Sequence, residues 1–328
     1  MGNAKFMTSG QSNQFLSRDG HSPGKASSLS LIIPTKNRPH ELTLVVQSLF
    51  EQTVGAAELI IVDQSPDEMG KLAVERQFEE ASTAGHPVMD LRYIHEPSIG
   101  GGAAARNHAM NIARGDIWLF LDDDVYLEPD FLEQILAAYE GCPDAAGVSG
   151  IITNYVVPSP GFRFWSSLFE RGPFRDERQP IYWHADRLRN SAPIRVRKFG
   201  GGLMSFRASA IQDLRFDENL RGVCDGEDVD LCMQLERRSG SRLLIAPAAR
   251  LVHNQSPSGR LQDHWVRRQA RASLFLFNKH WNRGLKNKLC FSWLLTGYGM
   301  VVSFASLRRG SLDPWRAFLA GMREGRVG

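Results

Sequence analysis

Five apolar residues run directly into three consecutive aspartates, Asp122, Asp123 and Asp124, within the segment 117–125. An apolar run of this length, with aromatic and branched side chains, predicts a fully buried strand. Adjacent carboxylates repel one another unless a cation or hydrogen-bond donors neutralise them. Ligands bind at the carboxyl ends of strands in open α/β sheets, and Mg²⁺ and Mn²⁺ prefer carboxylate oxygens. The segment therefore indicates a metal–diphosphate site, although a helix cap formed by Asp124 or Asp130 is a simpler alternative.

The residues before this segment alternate between strand and helix patterns. Short apolar runs predict strands at 29–34, 58–62 and 91–94. Apolar residues recur at helical spacing over 42–50, and a charged, Ala- and Glu-rich stretch at about 68–84 predicts a second helix. Strands that alternate with helices form parallel sheets with right-handed crossovers. We therefore predict an α/β fold with a doubly wound, mainly parallel sheet.

The composition is that of a globular protein, with 42% apolar and 23% charged residues. A chain of 328 residues can form one large α/β domain with an appendage, or two smaller domains. Residues 1–28 are rich in Ser, Gly, Asn and Gln without an apolar period, which predicts a disordered leader. The four cysteines show no CxxC pairing and no secretory signal precedes them, so we expect reduced thiols.

Basic residues are concentrated in the last third of the chain. From Arg237 onward there are seventeen Lys and Arg against three acids. This excess indicates an anionic partner, such as lipid headgroups, a phosphorylated acceptor or nucleic acid, or only a solvated basic surface. Within it, Leu289–Leu307 has no charged residue and is flanked by lysines and arginines. Its Ser, Thr, Tyr and Gly favour an element lying on a bilayer over a membrane span, with a core or dimer helix as an alternative.

Two glycine runs and one irregular segment are further candidates for ligand contact. The loop 98–107 has three glycines before a helix that carries Arg106, and free N–H groups there favour an anion. A plain flexible turn is the alternative. The second run, within 198–206, suggests that a ligand approaches the backbone closely. Residues 153–198 are rich in Pro, Arg and aromatic residues without periodicity, which is typical of a lid or substrate wall, or of a separately packed surface segment.

Two motifs in the second half of the chain carry further candidate residues. Glu227 and Asp228 precede a predicted helix, where acids either complement the helix dipole or act as a general base. His253 follows the last predicted strand, at 243–246. A lone histidine is most often a packing residue, but its place just past a strand matches that of the acidic triplet. This shared position supports the hypothesis that His253 is a metal ligand.

Taken together, these motifs resemble family 2 glycosyltransferases, which are inverting enzymes with the GT-A nucleotide-diphospho-sugar transferase fold. The similarity covers about residues 29–255 in the expected order. It implies a GT-A domain at 29–260, with 153–198 as an acceptor-side insertion, and a basic helical extension at 261–328 similar to the bacterial polysaccharide and rhamnosyl-type branch. The matching motifs are Ile32–Pro39, Val62–Asp63, Arg106–Asn107, Leu121–Asp124, Phe216–Glu218 and Gly226–Leu231.

The resemblance implies a role for each candidate residue. Asp228, or less favourably Glu227, is similar to the family's catalytic base. The residues that would bind Mn²⁺ or Mg²⁺ are Asp122, Asp124 and His253. Those that would bind the nucleotide sugar are Pro34, Thr35, Asn37, Arg38, Asp63, Arg106, Asp122 and Asp123. The chain departs from many members at Gln64, where they have a second acid after the strand-end aspartate, so the resemblance does not imply the contacts to the base or the preferred nucleotide. The acidic triplet also leaves open which pair of its acids binds the ion.

The function implied is a metal-dependent inverting transfer of a sugar from a nucleotide-diphospho-sugar to a hydroxyl of a glycan or lipid-linked glycan. We expect this activity in cell-surface polysaccharide synthesis, at the cytoplasmic face of the cell membrane, without nucleic-acid binding. A sugar-1-phosphate nucleotidyltransferase usually needs a glycine-rich basic loop after the first strand, which 35–39 does not resemble. A catalytically silent nucleotide-sugar-binding or scaffold protein is the other alternative, and the intact acidic motifs argue against it.

Overall fold

The computed structural model describes residues 28–85, 89–220, 226–239, 242–254 and 262–326. The predicted leader, apart from Ser28, and Cys224 lie outside this part of the chain. The strands are β1 (Leu29–Thr35), β2 (Glu58–Asp63), β3 (Asp90–His95), β4 (Ile117–Leu121), β5 (Val125–Leu127), β6 (Ala145–Ile152), β7 (Ile194–Val196), β8 (Leu203–Arg207) and β9 (Arg242–His253).

Helices account for most of the remaining chain. They are α1 (Pro39–Phe50), α2 (Met69–Thr83), α3 (Gly102–Met110), α4 (Phe131–Gly141), α5 (Pro160–Phe169), α6 (Gln179–Trp183), α7 (Ala185–Leu188), α8 (Ala208–Ile211), α9 (Glu227–Ser239), α10 (Gln262–Leu276), α11 (Leu285–Arg309) and α12 (Asp313–Glu324). A 3₁₀ turn at Gly172–Phe174 and a π turn at Phe277–Trp281 complete the elements.

The described strands form one nine-stranded sheet in the order β3-β2-β1-β4-β8-β6-β9-β5, with β7 paired to β9. The first four strands of this order are parallel, β8 is antiparallel to both neighbours, and β6 and β9 are parallel. The predicted α/β class with a mainly parallel sheet is confirmed, with antiparallel pairs in the second half. Because β1 lies between β2 and β4, the residues that follow these three strands meet at one edge.

Both faces of the sheet are covered, which explains why its strands read as continuous apolar runs. Leu31 and Ile33 of β1 pack in the cluster that contains the inner faces of α1, α2 and α4. Ile32, which points to the opposite face, packs with the alanines of α3 and with Leu231 of α9. The three helices predicted before β4 are present, and the core positions predicted for α1 are almost all buried.

The first turn of α4 differs from the prediction. The spacing of Asp130 and Glu133 predicts a capping box, but the Asp130 side chain makes no cap hydrogen bond and instead accepts from Gln134 Nε2 at 3.2 Å. The N–H of Leu132 is already bound by Gln52 Oε1 at 3.0 Å. A free N–H group at the start of α4 is therefore hydrogen-bonded by a side chain from a distant part of the chain. The local spacing of residues around Asp130 cannot predict such a contact.

The last strand is longer than predicted. The strand expected at 243–246 continues to His253, through an irregularity at which the partners of β6 shift from Ile245 to Arg250. This stretch contains Pro247, which has no N–H to donate to a ladder. His253 consequently ends β9, where it pairs with Val125, rather than following the strand in a loop.

The 153–198 segment contains more regular structure than its sequence indicates. It holds α5, α6, α7, the 3₁₀ turn and β7, and its aromatic residues pack on the C-terminal helices. Trp165 Nε1 donates to the carbonyl oxygen of Gly297 at 3.1 Å, and Trp293 Nε1 donates to that of Leu168 at 2.8 Å. Phe174 contacts the rings of Phe277, Trp281 and Phe291. The segment shows no sustained periodicity because its elements are only three to ten residues long.

A buried ion cluster fixes the C-terminal helices to α9. Asp230 is fully buried, and its Oδ1 lies 2.7 Å from His280 Nε2 and 2.9 Å from Lys279 Nζ. Lys279 also reaches Asp217 at 2.6 Å. Since an ionised carboxylate without partners is costly to bury, the π turn and α9 stabilise each other. We call Asp230, Lys279 and His280 the tail anchor.

Candidate active site

The loop after β1 reaches the acidic triplet. Asn37 has a left-handed backbone (φ 58°), which Asn tolerates better than most residues, and its N–H donates to Ser65 Oγ at 2.8 Å. Thr35 Oγ1 donates to Asp123 Oδ2 at 2.7 Å. Arg38 Nη1 donates to Asp123 Oδ1 at 2.8 Å. These donors offset part of the repulsion expected among three adjacent acids.

The three aspartates face different partners. Asp123 is buried against β1, and this burial raises the pKa of its carboxyl to about 6 despite the contacts with Thr35 and Arg38. Asp122 and Asp124 instead meet His253, with one potential ligand atom from each lying within 4.8 Å of the others. His253 Nε2 lies 2.9 Å from Asp124 Oδ1 and 3.9 Å from Asp122 Oδ2. Two carboxylates and one imidazole form a donor set suited to Mn²⁺, and less closely to Mg²⁺.

Arg106 connects this donor set to the second acidic motif. It lies on α3 and is 4% exposed. Its Nη2 donates to Asp122 Oδ1 at 3.0 Å, and its Nη1 donates to Glu227 Oε1 at 3.2 Å. One guanidinium therefore neutralises charge in both motifs, and it is positioned to meet an anion that enters between them.

Glu227 and Asp228 are adjacent carboxyls at the start of α9. Burial, together with the charge of Asp228, raises the pKa of Glu227 to about 7, against the opposing effect of Arg106. Burial also raises the pKa of Asp228, whose Oδ1 accepts from the N–H of Val229 at 2.8 Å. A carboxyl group with a raised pKa is a stronger base than an ordinary carboxylate and is suited to accept a proton.

The second glycine run lies against all of these groups. It joins β7 to β8 and passes between the acidic triplet and α9. A side chain at Gly202 would crowd Asp122, one at Gly200 would be tight against Arg178, and one at Gly201 would make only ordinary contact with Glu227. An added Cβ would lie 3.1 Å from Arg178 Nη1 at Gly200, 3.6 Å from Glu227 Oε1 at Gly201 and 2.9 Å from Asp122 Oδ2 at Gly202.

These elements surround one cleft of about 1710 Å³. Its floor is the strand-end edge of the sheet, and its outer walls come from α5, α10 and α11. The sequence-predicted residues that line it are Pro34, Thr35, Asn37, Arg38, Arg106, Asp122, Asp123, Glu227, Asp228 and His253.

Two of the predicted site residues lie behind the cleft wall. Asp124 is 7% exposed and contacts Arg38 Nη1 at 3.2 Å in addition to His253. Asp63 is 1% exposed, and its carboxylate accepts from the N–H of Ser65 at 2.8 Å and from the Tyr93 hydroxyl at 2.7 Å. In the strand-end region, the neighbouring Gln64 lines the cleft instead of Asp63.

The sequence profile of Glycosyl transferase family 2 matches residues 30–210, which is more than half of the chain. The chain belongs to glycosyl transferase family 2. The matched range includes the acidic triplet and Arg106. Glu227, Asp228 and His253 lie beyond it, so their membership in the site rests on the geometry described above.

Two curated proteins are similar to most of this chain. The pre-mycofactocin glycosyltransferase of Mycobacterium tuberculosis (strain H37Rv) is 28% identical over 244 residues, which cover 74% of this chain and 45% of that protein. The O-antigen biosynthesis protein RfbC of Myxococcus xanthus is 26% identical over 251 residues, 73% of this chain and 18% of that protein. This chain thus spans less than half of the length of either relative.

The fold is shared with the mannosyltransferase PcManGT from Pyrobaculum calidifontis, solved in complex with GDP-Man and Mn²⁺. The two structures superpose with a TM-score of 0.56 over 93% of this chain and 87% of that one, at 18% sequence identity. The GT-A type of fold predicted from the sequence motifs is therefore confirmed.

Sequence reasoning missed three basic and acidic residues of this family 2 site. Arg178 forms two hydrogen bonds of 3.0 Å with the Asp176 carboxylate, and its positive charge opposes the rise in the pKa of Asp228. Lys198 lines the same wall, and burial lowers its pKa. The only signal in the sequence was the abundance of Arg in the 153–198 segment.

Gly202→Ala is expected to weaken metal-dependent nucleotide binding roughly tenfold without unfolding the family 2 domain. The added methyl group would lie 2.9 Å from Asp122 Oδ2 and 3.3 Å from His253 Cε1, and would push both from their positions. Calorimetric titration with nucleotide and Mn²⁺ measures the change. Gly55→Ala, where an added Cβ meets nothing within 4 Å, serves as the control. Equal affinity in the two variants would contradict the expectation.

Proposed function

We propose that the chain is a metal-dependent inverting glycosyltransferase that moves a sugar from a nucleotide-diphospho-sugar to a hydroxyl of a glycan or lipid-linked glycan. The observation that carries this proposal is the bridge formed by Arg106 between Asp122 and Glu227 across one cleft. Through this bridge, the Arg106 side chain connects Asp122 of the candidate metal site to Glu227, which is adjacent to the candidate base Asp228. These are the two groups that displacement of a diphosphate by a hydroxyl requires.

The donor end of the cleft is assigned to the residues after β1 and β4. Thr35, Asn37 and Arg38 would contact the nucleotide, and Arg106 would face its diphosphate. Asp122, Asp124 and His253 would hold the ion, and their donor set fits Mn²⁺. When bound, such an ion acts as a Lewis acid that stabilises the negative charge of the departing diphosphate. The complex of PcManGT with GDP-Man and Mn²⁺ supports the choice of metal and of donor class.

The acceptor end is assigned to the start of α9. Asp228 would accept the proton of the acceptor hydroxyl as the oxygen attacks the anomeric carbon from the side opposite the diphosphate, which inverts that carbon. Glu227 is the alternative base, but its Oε1 already accepts from Arg106. The positive charges of Arg178 and Arg106 oppose the rise in the pKa of Asp228 that burial causes.

A cell-surface glycan as the product is supported by the name of the RfbC relative, an O-antigen biosynthesis protein. Such glycans are assembled on acceptors at the membrane, and the basic C-terminal third would face that surface. We therefore propose a peripheral location at the cytoplasmic face of the cell membrane.

The pH dependence of transfer tests the role of the acid pair. A base must be ionised to accept a proton, so kcat/KM should fall about tenfold per pH unit below the pKa that governs it. With Asp228 as the base, Glu227→Gln should keep both the activity and this limb, although it removes a neighbouring carboxyl whose pKa is about 7. Loss of the limb in Glu227→Gln would assign the ionisation to Glu227.

The central experiment is calorimetric titration of the full chain with UDP, GDP and dTDP, each with and without Mn²⁺. Metal-dependent binding of one nucleotide supports the transferase and identifies the nucleotide of its donor. If no nucleotide binds under either condition, the transferase proposal fails, and a scaffold role takes its place.

A further inference from the structure

The outer surface of α11 carries large apolar side chains from its first turn to its last, with Ser292 and Thr296 also exposed. Apart from Val301, these large side chains recur at intervals of three, four or seven residues, which puts them on one side of the helix. Their exposed fractions range from 43% for Trp293 to 82% for Leu307. The contact of Trp293 with Leu168 joins this side to α5, where Phe164 is 70% exposed. We call this surface the apolar face; its members are Phe164, Leu168, Leu285, Leu289, Trp293, Met300, Phe304 and Leu307.

The opposite side of α11 is packed inside the protein. Phe291, Leu294 and Val302 are buried against the π turn and the C-terminal helices, and Gly297 lies against the ring of Phe169. Within the described residues, α11 alone is long and apolar enough to cross a membrane. A spanning helix would face lipid or other membrane helices around its circumference. Here one side of α11 is packed against α5, α12 and the π turn, so the apolar face is the side available to lipid.

The basic residues at the ends of α11 indicate which kind of partner the apolar face binds. The helix contains no Asp or Glu, and exposed basic residues stand at both ends: Lys286 and Lys288 at one, Arg308 and Arg309 at the other. A two-fold contact with a second copy would bring these basic ends together, which costs free energy. Anionic lipid headgroups complement them.

We infer that the apolar face rests on the surface of an anionic lipid bilayer, with α11 lying in the plane of the headgroups. The exposed apolar side chains enter the boundary of the acyl chains, while the basic residues at the helix ends contact lipid phosphates. This surface is distinct from the cleft in composition, since the cleft is lined by the acidic motifs.

The apolar face and the cleft share a margin. Both α11 and α5 contribute to the lining of the cleft, through Tyr298 and Val301 and through Phe162 and Trp165, respectively. Val301 is also 44% exposed. A bilayer on the apolar face therefore lies beside the mouth of the cleft. This step rests on the proposed function: the acceptor is lipid-linked and enters the cleft from the membrane, with its hydroxyl directed toward Asp228.

Flotation of the full chain with vesicles tests the apolar face without any substrate. We expect binding to phosphatidylcholine vesicles that contain phosphatidylglycerol, and weaker binding to phosphatidylcholine alone. Phe304→Ser/Leu307→Ser should reduce binding roughly tenfold. The matched control is Met69→Ser/Leu72→Ser on α2, where the two side chains are 62% and 63% exposed, and it should bind like the unmodified chain.

A second pair of variants tests the basic ends. Lys286→Gln/Lys288→Gln should reduce binding to the anionic vesicles roughly tenfold and leave the binding to phosphatidylcholine almost unchanged. Arg114→Gln/Arg187→Gln removes two exposed charges elsewhere and should have little effect. If both pairs of substitutions reduce vesicle binding equally, binding depends only on net charge, and the inference of a specific membrane-binding face is wrong.

The remaining outcomes separate this inference from the proposed function. If the chain fails to float with anionic vesicles but binds nucleotide with Mn²⁺, the membrane inference is wrong and the transferase stands. If sedimentation velocity shows a dimer that Phe304→Ser/Leu307→Ser dissociates, the apolar face is an interface with a second copy of the chain.

A labelling experiment tests the lipid-linked acceptor. Once the donor nucleotide sugar is identified, label from its sugar should enter the solvent-extractable lipid of native membranes. Label found only in water-soluble glycan would contradict a lipid-linked acceptor.

Discussion

Asp228→Asn is expected to lower kcat for sugar transfer by roughly a thousandfold or more, while metal-dependent nucleotide binding is retained. The substitution keeps the size of the side chain and its acceptor oxygen for the N–H of Val229, but removes the group that would take the hydroxyl proton. Asp228 is not part of the candidate metal donor set, so donor affinity should change little. Initial rates and calorimetry on the same preparation measure the two quantities.

Glu227→Gln is the matched variant, because it alters the adjacent carboxyl. Its amide can no longer pair as an anion with Arg106, so we expect a moderate change in both affinity and rate. A thousandfold loss in Glu227→Gln with near-normal rates in Asp228→Asn would reverse the assignment of the base. Loss of nucleotide binding in Asp228→Asn would indicate structural damage, which thermal unfolding would detect.

Asp122→Ala/Asp124→Ala is expected to abolish the metal dependence of nucleotide binding, with an affinity loss of more than about a hundredfold. The double variant leaves His253 as the sole remaining member of the three-residue donor set found in the described chain. A single imidazole cannot hold Mn²⁺ against water at ordinary concentrations. Titrations with nucleotide, with and without Mn²⁺, measure this loss.

Two further variants make that result specific. Asp123→Asn should retain the Mn²⁺ requirement, since this carboxylate faces Thr35 and Arg38 rather than His253. Asp130→Ala removes one nearby negative charge outside the donor set and should bind normally. If Asp123→Asn loses the metal requirement while the double variant keeps it, the pair that binds the ion has been assigned incorrectly.

Local sequence patterns were sufficient to predict the first half of the fold. The strands β1, β2 and β4 are short apolar runs buried on both faces, β3 is a partly exposed edge strand, and α1 between them has a clear apolar period. Because the carboxyl ends of parallel neighbours meet at one edge, the positions of Thr35 and the acidic triplet followed from the same patterns.

The remainder of the site depends on contacts between distant parts of the chain. His253 reaches Asp124 because β9 continues past an irregularity that interrupts its pattern. Arg178 stands beside Gly200 because α6 packs against the sheet edge, and no periodicity indicates this. Asp63 lies behind the wall because Tyr93, a neighbour only in the sheet, donates to its carboxylate. Such pairings are set by tertiary packing rather than by local spacing.

The tail anchor determines how this chain can be shortened for experiments. The helix that carries Asp228 also carries Asp230, whose carboxylate is fully buried beneath Lys279 and His280. A fragment that stops at 210, where the family profile ends, lacks α9 altogether. One that stops at 260 removes Lys279 and His280, the two partners of the buried Asp230 carboxylate in the tail anchor. Inactivity of either fragment would therefore reflect the loss or disruption of α9, and expression trials should retain residues through at least α12.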